Sequence, residues 1–272
     1  MCFSLHTVEP YSISTLAGNG TFGFSGDGGP ASSASMSNSL GIASNALTGN
    51  VYFADSENGC VRSVNTATGI IKTVAGIKMM FGYSGDSGPA TLALLGSPSD
   101  VDVDTSKNIL YIADTYNDVI RMVDISTGII TTVAGMGMRG YSGDGGQATS
   151  AYLSNPNSIA FDSSSRTLYI SDSGNCAIRS LSVASGIISA LVTVGYCGSG
   201  SSYGFYSNTF TGGIAVNPST GTVYYMDPTY KTLKAVTVST LKIITVAGNG
   251  IYGYSGGGGR WGRHRGFLQY GH

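Results

Sequence analysis

Two sets of aspartates recur along this chain at spacings that bear on chemistry. Asp27, Asp86 and Asp144 each follow a (Phe/Tyr)-Ser-Gly triplet, and Asp55, Asp114, Asp172 and Asp227 each close an apolar run. Oxygen-rich loops can hold Ca²⁺, which takes about six to eight oxygen ligands. The competing reading is turn chemistry, in which glycine supplies positive φ and Asp bonds its own backbone. One Asp per repeat, spread round an array, does not build a compact cage. No metal or other cofactor is therefore expected, and Ca²⁺ stays as the alternative. Arg62, Arg121 and Arg179 follow Asp55, Asp114 and Asp172 by seven residues, with Lys234 in the fourth place. Each such pair spans a hairpin and is read, with Asn58, Asn117 and Asn175, as structural. An active site is normally built once, whereas this pair is built in every copy.

The loop aromatics Phe24, Tyr83 and Tyr141 repeat too, with Tyr254 in a further copy. They are either exposed anchors for a partner or the folded-back core of their own loop, and both readings stay open. With Asp27, Asp86 and Asp144 they form the candidate ligand-binding set. Tyr52, Tyr111, Tyr169 and Tyr224 are read as packing residues. The histidines, His6, His264 and His272, lie outside the repeats, which leaves no repeat histidine for base chemistry or zinc. Cys2, Cys60, Cys176 and Cys197 follow no paired spacing and are expected to be free thiols.

The elements that must position these residues show in the periodicity. Ala-Gly pairs stand at Ala17-Gly18, Ala75-Gly76, Ala134-Gly135 and Ala247-Gly248, with a worn copy at Val194-Gly195. Within one unit, Val101–Asp104 alternates as a half-buried strand does. Ile109–Asp114, Val119–Asp124 and Ile129–Ala134 follow, separated by short turns. Helix signals are absent. Four strands in a meander, repeated along a chain, predict an all-β fold: a β-propeller of four-stranded blades. In such a meander alternate connections share a face, so the Ser-Gly-Asp loops and the Asp-x-x-Asn turns lie together, and this face is the expected binding site.

The phrases Pro156-Asn-Ser-Ile-Ala-Phe-Asp162, Leu168-Tyr-Ile-Ser-Asp-Ser-Gly-Asn175 and Ile178-Arg179 resemble the NHL repeat. The long variant, with Ala-Gly-x-Gly and Tyr-Ser-Gly-Asp-Gly-Gly between blades, is similar to NHL arrays of bacterial and protist proteins and to teneurin-like NHL propellers. The resemblance covers residues 11–259 and implies a six-bladed ring. Blades are expected at about 16–75, 76–134, 135–194 and 195–247, within an array spanning 11–256, with 1–10 as a leading scrap. Four blades plus partial terminal ones read as a fragment of a larger ring. Residues 257–272, which carry Trp261, the chain's one Trp, break the repeat. Arg260-Trp261-Gly262, written AGA-TGG-GGN and shifted in frame, restores the missing Asp-Gly, so this stretch is read as a frameshifted tail. In the fourth unit Cys197–Tyr206 replaces the Ser-Gly-Asp phrase, which is read as drift.

Composition closes several classes. A formal charge of −1 gives no electrostatic capture of nucleic acid. No apolar run approaches the roughly 20 residues that cross a bilayer, and none at the start resembles a signal segment. Only 11 % of residues are charged, below the roughly 25 % of an ordinary soluble domain. That scarcity, with abundant Ser, Thr and Gly and an Asn19-Gly-Thr21 triplet, leans extracellular or cell-surface. The expected function is a non-catalytic scaffold binding a protein or glycan partner on its loop face. The alternative is a Ca²⁺-dependent propeller hydrolase or lyase using loop or channel aspartates, marked by a carboxylate cluster confined to one blade. An open array would also expose the flanks of its terminal blades.

Overall fold

The computed structural model describes residues 12–193, 213–227 and 230–251. Residues 1–11, the Cys197–Tyr206 segment, Tyr254 and the 257–272 tail lie outside them. Four antiparallel sheets follow one another as propeller blades. The first holds β1 (Ser39–Asn45), β2 (Asn50–Asp55), β3 (Cys60–Asn65) and β4 (Ile71–Ala75). A two-residue β5 (Gly88–Pro89) precedes the second blade, β6 (Asp100–Asp104), β7 (Ile109–Asp114), β8 (Val119–Asp124) and β9 (Ile129–Ala134). The third is β10 (Pro156–Asp162), β11 (Thr167–Asp172), β12 (Ala177–Ser182) and β13 (Ile187–Thr193). The fourth is β14 (Ile214–Asn217), β15 (Thr222–Asp227), β16 (Thr232–Thr237) and β17 (Lys242–Ala247). Each blade is a simple meander, with its first strand innermost. The six-bladed ring implied by the resemblance is not found: the described residues make four blades.

Alternation sets the packing. Each strand turns one row of side chains to the preceding blade and the other to the following one. Ala43, Tyr52, Ala54, Val61 and Ala75 of the first blade pack against Val101, Val103, Leu110, Ile112, Val123 and Ile130 of the second. Tyr111, Ala113, Ile120 and Ala134 meet Ile159, Phe161, Leu168, Ile170, Leu181 and Ile188 in the same way. Tyr169 and Ile178 then meet Ile214, Val223, Tyr225 and Val236. The innermost strands touch in the order β1, β6, β10, β14, and no comparable contact joins β14 back to β1 among the described residues.

The loop that carries each Ser-Gly-Asp phrase folds onto the blade that follows it and covers the outer edge of its last strand. Gly28 N–H donates to Ile71 O and Ala31 N–H to Gly69 O. β5 pairs with β9, and Gly145 N–H donates to Ile188 O. Sheet edges left bare invite pairing with other chains, and here three are closed by the chain's own insert. β17 has no such cover among the described residues and is exposed along its whole length.

The Asp-x-x-Asn turns are single 3₁₀ turns, Ser56–Asn58, Thr115–Asn117 and Ser173–Asn175, where sequence gave no helical signal. Each ends on a left-handed residue, Gly59, Asp118 or Cys176, which caps the turn. The free-thiol expectation holds for Cys60, buried and pushed up to about 12 by its apolar surroundings. It fails for Cys176, which is disulfide-bonded to a partner outside the described residues. Repeat spacing excluded only the pairing of Cys60 with Cys176, and so left other partners untouched. No helix of the described residues is long and apolar enough to cross a membrane.

Candidate loop-face binding site

Each of the first three blades is centred on one buried arginine. The side chains of Arg62, Arg121 and Arg179 are fully excluded from solvent. A bulge in the pairing of the third and fourth strands falls directly before each: between Val61 and Arg62, Ile120 and Arg121, Ile178 and Arg179. Bulges of this kind re-aim a side chain, and here the guanidinium reaches the loop face. It meets the insert's aspartate, Asp27 at 2.7 Å, Asp86 at 2.7 Å or Asp144 at 2.8 Å. The aspartate expected from sequence is farther: Asp55 at 3.6 Å, Asp114 at 3.4 Å and Asp172 at 3.3 Å. Arginine also donates to the carbonyls of Ser25, Ser84 and Ser142. The rings of Phe24, Tyr83 and Tyr141 lie over the guanidinium carbons at 4.5, 5.2 and 4.8 Å. A planar cation with several donors suits this task, because it can bind two carboxylates and stack on a ring at once.

The second aspartate fastens the turn. Asp114 accepts from Gly96 N–H and Asn117 Nδ2, and Asn117 donates to Gly82 O as well. Asp55 with Asn58 and Asp172 with Asn175 repeat the pattern. Burial pushes the Asp114 and Asp172 carboxyls up to about 6, against the pull of asparagine, backbone and arginine donors. Their native pKa lies above the unfolded value of 3.8. The native state therefore binds these protons more tightly, and the stability they contribute is full below about pH 4 and lost as pH rises through about 6. Asp104 and Asp162 are shifted the other way and titrate below this window. A ¹³C carboxyl titration should show midpoints near 6 for Asp114 and Asp172; midpoints at 4 or below would refute the assignment.

The structure thus brings all twelve singled-out residues of the first three blades into three equivalent clusters. Asp27, Asp86 and Asp144 are tied to arginine and keep only 35, 41 and 35 % of their side-chain surface exposed. Of the two readings left open by sequence, the loop-core one is seen in Tyr83 and Tyr141: each ring covers its arginine, and each residue stays more than two-fifths exposed. In the fourth blade Lys234 lies 4.0 Å from Asp227 and over the Tyr230 ring. Among the described residues, no three His, Cys, Asp or Glu side chains come together as a metal site.

Two features escaped sequence reasoning. The inserts present apolar side chains to solvent: Met79, Met80, Phe81, Met136 and Met138 are 44–68 % exposed, with Tyr116 of the neighbouring turn at 61 %. Four of the chain's eight methionines stand here, which was a usable signal. The inserts also touch one another, Lys78 over the Phe24 ring and Tyr83 against Gly137. The other feature is a carboxylate pair confined to one blade. Asp100 and Asp102 of β6 occupy positions held by Gly41 and Ala43, Ser158 and Ala160, and Gly213 and Ala215 elsewhere. Asp100 accepts from Ser158 Oγ and Ile159 N–H, and Asp102 from Phe161 N–H. These backbone donors lie on the free inner edge of β10. Aligning the four inner strands would have found the pair.

No protein-family profile matches the chain. Among curated proteins it is similar to NHL repeat-containing protein 2 of Bos taurus, 31 % identical over 146 residues, which is 52 % of this chain and 20 % of that protein. The Homo sapiens protein of the same name is 29 % identical, over 56 % of this chain and 21 % of that one. Protein SUPPRESSOR OF QUENCHING 1, chloroplastic, of Arabidopsis thaliana is 28 % identical, over 54 % and 14 %. The chain spans about a fifth or less of the length of these relatives. Of solved structures, a chain of a nidogen/laminin complex superposes with a TM-score of 0.56 at 14 % identity, covering 78 % of this chain and 65 % of that one. A Bacteroides thetaiotaomicron protein of unknown function does so at 0.52 and 18 %, covering 72 % and 46 %. At such identities the structures speak for the fold alone, while the Bos taurus and Homo sapiens relatives are named for the NHL repeat. By fold this chain is a β-propeller array, and its repeat is similar to that of the NHL repeat-containing proteins.

Proposed function

We propose that the chain is a non-catalytic scaffold that binds a protein partner on its loop face. The observation that carries this reading is a run of exposed Met, Phe and Tyr side chains on inserts pinned from beneath by buried arginines. Interface centres favour aromatic residues and methionine, and a rigid backing keeps the ordering cost of binding low. Phe24, Asp27, Tyr83, Asp86, Tyr141 and Asp144 form the polar and aromatic floor of this face. The nidogen/laminin neighbour, a propeller fold seen in a protein complex, is in keeping with the reading.

Short peptides selected by display on the full chain should be apolar. Their affinity should fall about tenfold or more on Phe81→Ala or Met138→Ala, the size of effect typical of a truncated anchor. Peptides indifferent to both substitutions would end the loop-face reading. Glycan-array binding abolished by the same substitutions would replace the protein partner with a glycan.

A further inference from the structure

The three arginine clusters differ at one oxygen. In the first blade Asp27 Oδ2 is satisfied by the chain itself, accepting from Thr73 Oγ1 at 2.6 Å and Thr73 N–H at 3.1 Å. In the third, Tyr141 Oη donates to Asp144 Oδ2 at 2.9 Å, and Ala190 stands in the place of Thr73. In the second blade the two devices cancel. Tyr83 Oη and Thr132 Oγ1 bond each other at 2.9 Å, and Asp86 Oδ2 accepts no hydrogen bond among the described residues. Arg121 holds the other oxygen, Oδ1, at 2.7 Å, so the carboxylate is fixed with Oδ2 unsatisfied. Asp86 borders a pocket of about 310 Å³ between two inserts, lined also by Tyr83, Thr132, Gly135, Met136 and Thr149.

Charge and comparison between blades say what fits this pocket. Among the described residues Arg121 is the one cation paired with both Asp86 and Asp114, so the cluster carries one formal negative charge. The tyrosine and threonine hydroxyls can each accept from a donor. Beside the first cluster, the segment Ala75-Gly76-Ile77-Lys78 places Lys78 Nζ 5.6 Å from the centre of the Phe24 ring. The matching segment beside the second, Ala134-Gly135-Met136-Gly137, brings a glycine against Tyr83 and no cation. The first blade thus supplies its own ammonium beside this ring, and the second does not. We propose that the pocket takes a cationic side chain of the partner, lysine or arginine, whose head meets Asp86 Oδ2 and the neighbouring hydroxyls while its stem lies against Met136. Hydrogen bonds from a cation to a carboxylate are the strong ones, and here the carboxylate is already held in position. The inference rests on the protein-partner reading above and adds the chemistry of one contact, a basic residue within an apolar segment.

The probes are the apolar peptides selected by display on the full chain, which should each carry a lysine or arginine. Norleucine in that place should weaken binding about tenfold or more. Tyr83→Phe tests the protein side, because it restores the pairing of the first blade. Thr132 Oγ1 is then released to donate to Asp86 Oδ2, as Thr73 does to Asp27, and a phenyl ring lies over the arginine as Phe24 does. This variant should unfold in urea where wild type does and bind the basic peptide about tenfold more weakly, yet bind the norleucine peptide unchanged. Thr149→Val, on the other insert, should also weaken the basic peptide while leaving the arginine cluster untouched. Peptides that need Phe81 and Met138 but carry no basic residue overturn this inference and leave the partner reading intact. Basic peptides that bind both variants as tightly as wild type overturn it too. Peptides indifferent to Phe81→Ala and Met138→Ala but weakened by Tyr83→Phe uphold the cation pocket and end the wider loop-face reading. Methyl glycosides that shift the Met136 methyl resonance where Nα-acetyl-lysine amide does not would replace the cation with a sugar.

Discussion

Arg121→Ala is expected to destabilise the chain by about 3–5 kcal/mol, the loss typical when one partner of a buried ion pair is removed. Arg121 is wholly buried and holds Asp86 at 2.7 Å and Asp114 at 3.4 Å. It also donates to Ser84 O and Leu94 O. Truncation leaves Asp114 with no cation in a site closed to water, and frees the insert from the sheet beneath it. Arg121→Lys should fall between, because an ammonium can reach some of these acceptors but cannot fork between them. Arg139→Ala is the control. It pairs with Asp118 at 3.4 Å and donates to Asn155 Oδ1 at 2.6 Å, but its own side chain is 58 % exposed, so the loss should stay within about 1 kcal/mol. Urea unfolding of the full chain measures all three. A loss for Arg121→Ala as small as that for Arg139→Ala would mean that water reaches the cluster, and the inserts would then not be rigid supports for a partner.

The strands were legible in sequence because alternation and turn residues act locally. The expected runs Ile109–Asp114, Val119–Asp124 and Ile129–Ala134 coincide with β7, β8 and β9, and only the start of β6 differs, at Asp100. The arginine clusters were half legible. A seven-residue spacing across a hairpin points from Arg121 to Asp114, but the closer partner, Asp86, stands 35 residues away. Periodicity gives both the same phase in every blade without saying that they touch. That contact depends on the insert folding forward onto the next blade rather than back, which is a tertiary fact. The exposed methionines were illegible for another reason: an apolar loop residue looks the same in sequence whether it is tucked under or turned out.

Asp100 and Asp102 were hidden by the very alternation that revealed their strand, since carboxylates on the polar beat of Asp100–Asp104 look like a solvated row. A carboxylate cluster in a single blade was also the mark set for the enzyme alternative, so the role of this pair bears on the function. The geometry assigns them to holding blades together. Asp100 Oδ2 accepts from Ser158 Oγ at 2.7 Å and Ile159 N–H at 2.9 Å, and Oδ1 accepts from Val101 N–H. Asp102 bonds Phe161 N–H at 2.6 Å and Val103 N–H at 2.7 Å. Both carboxyls are shifted upward by burial. Gly41 lies so close to Asp100 that a Cβ there would collide with it, so all three inner strands meet at this point. Replacing both aspartates by alanine should cost about 2–6 kcal/mol, taking roughly 1–3 kcal/mol for each of the two β10 backbone N–H groups, of Ile159 and Phe161, left without its partner. Asp→Asn at both positions keeps one acceptor oxygen per side chain and should recover most of that loss. Urea unfolding of the alanine and asparagine doubles separates the two roles. If both doubles remain as stable as wild type, these carboxylates are not structural, and the inner channel of the second blade becomes the place to look for chemistry.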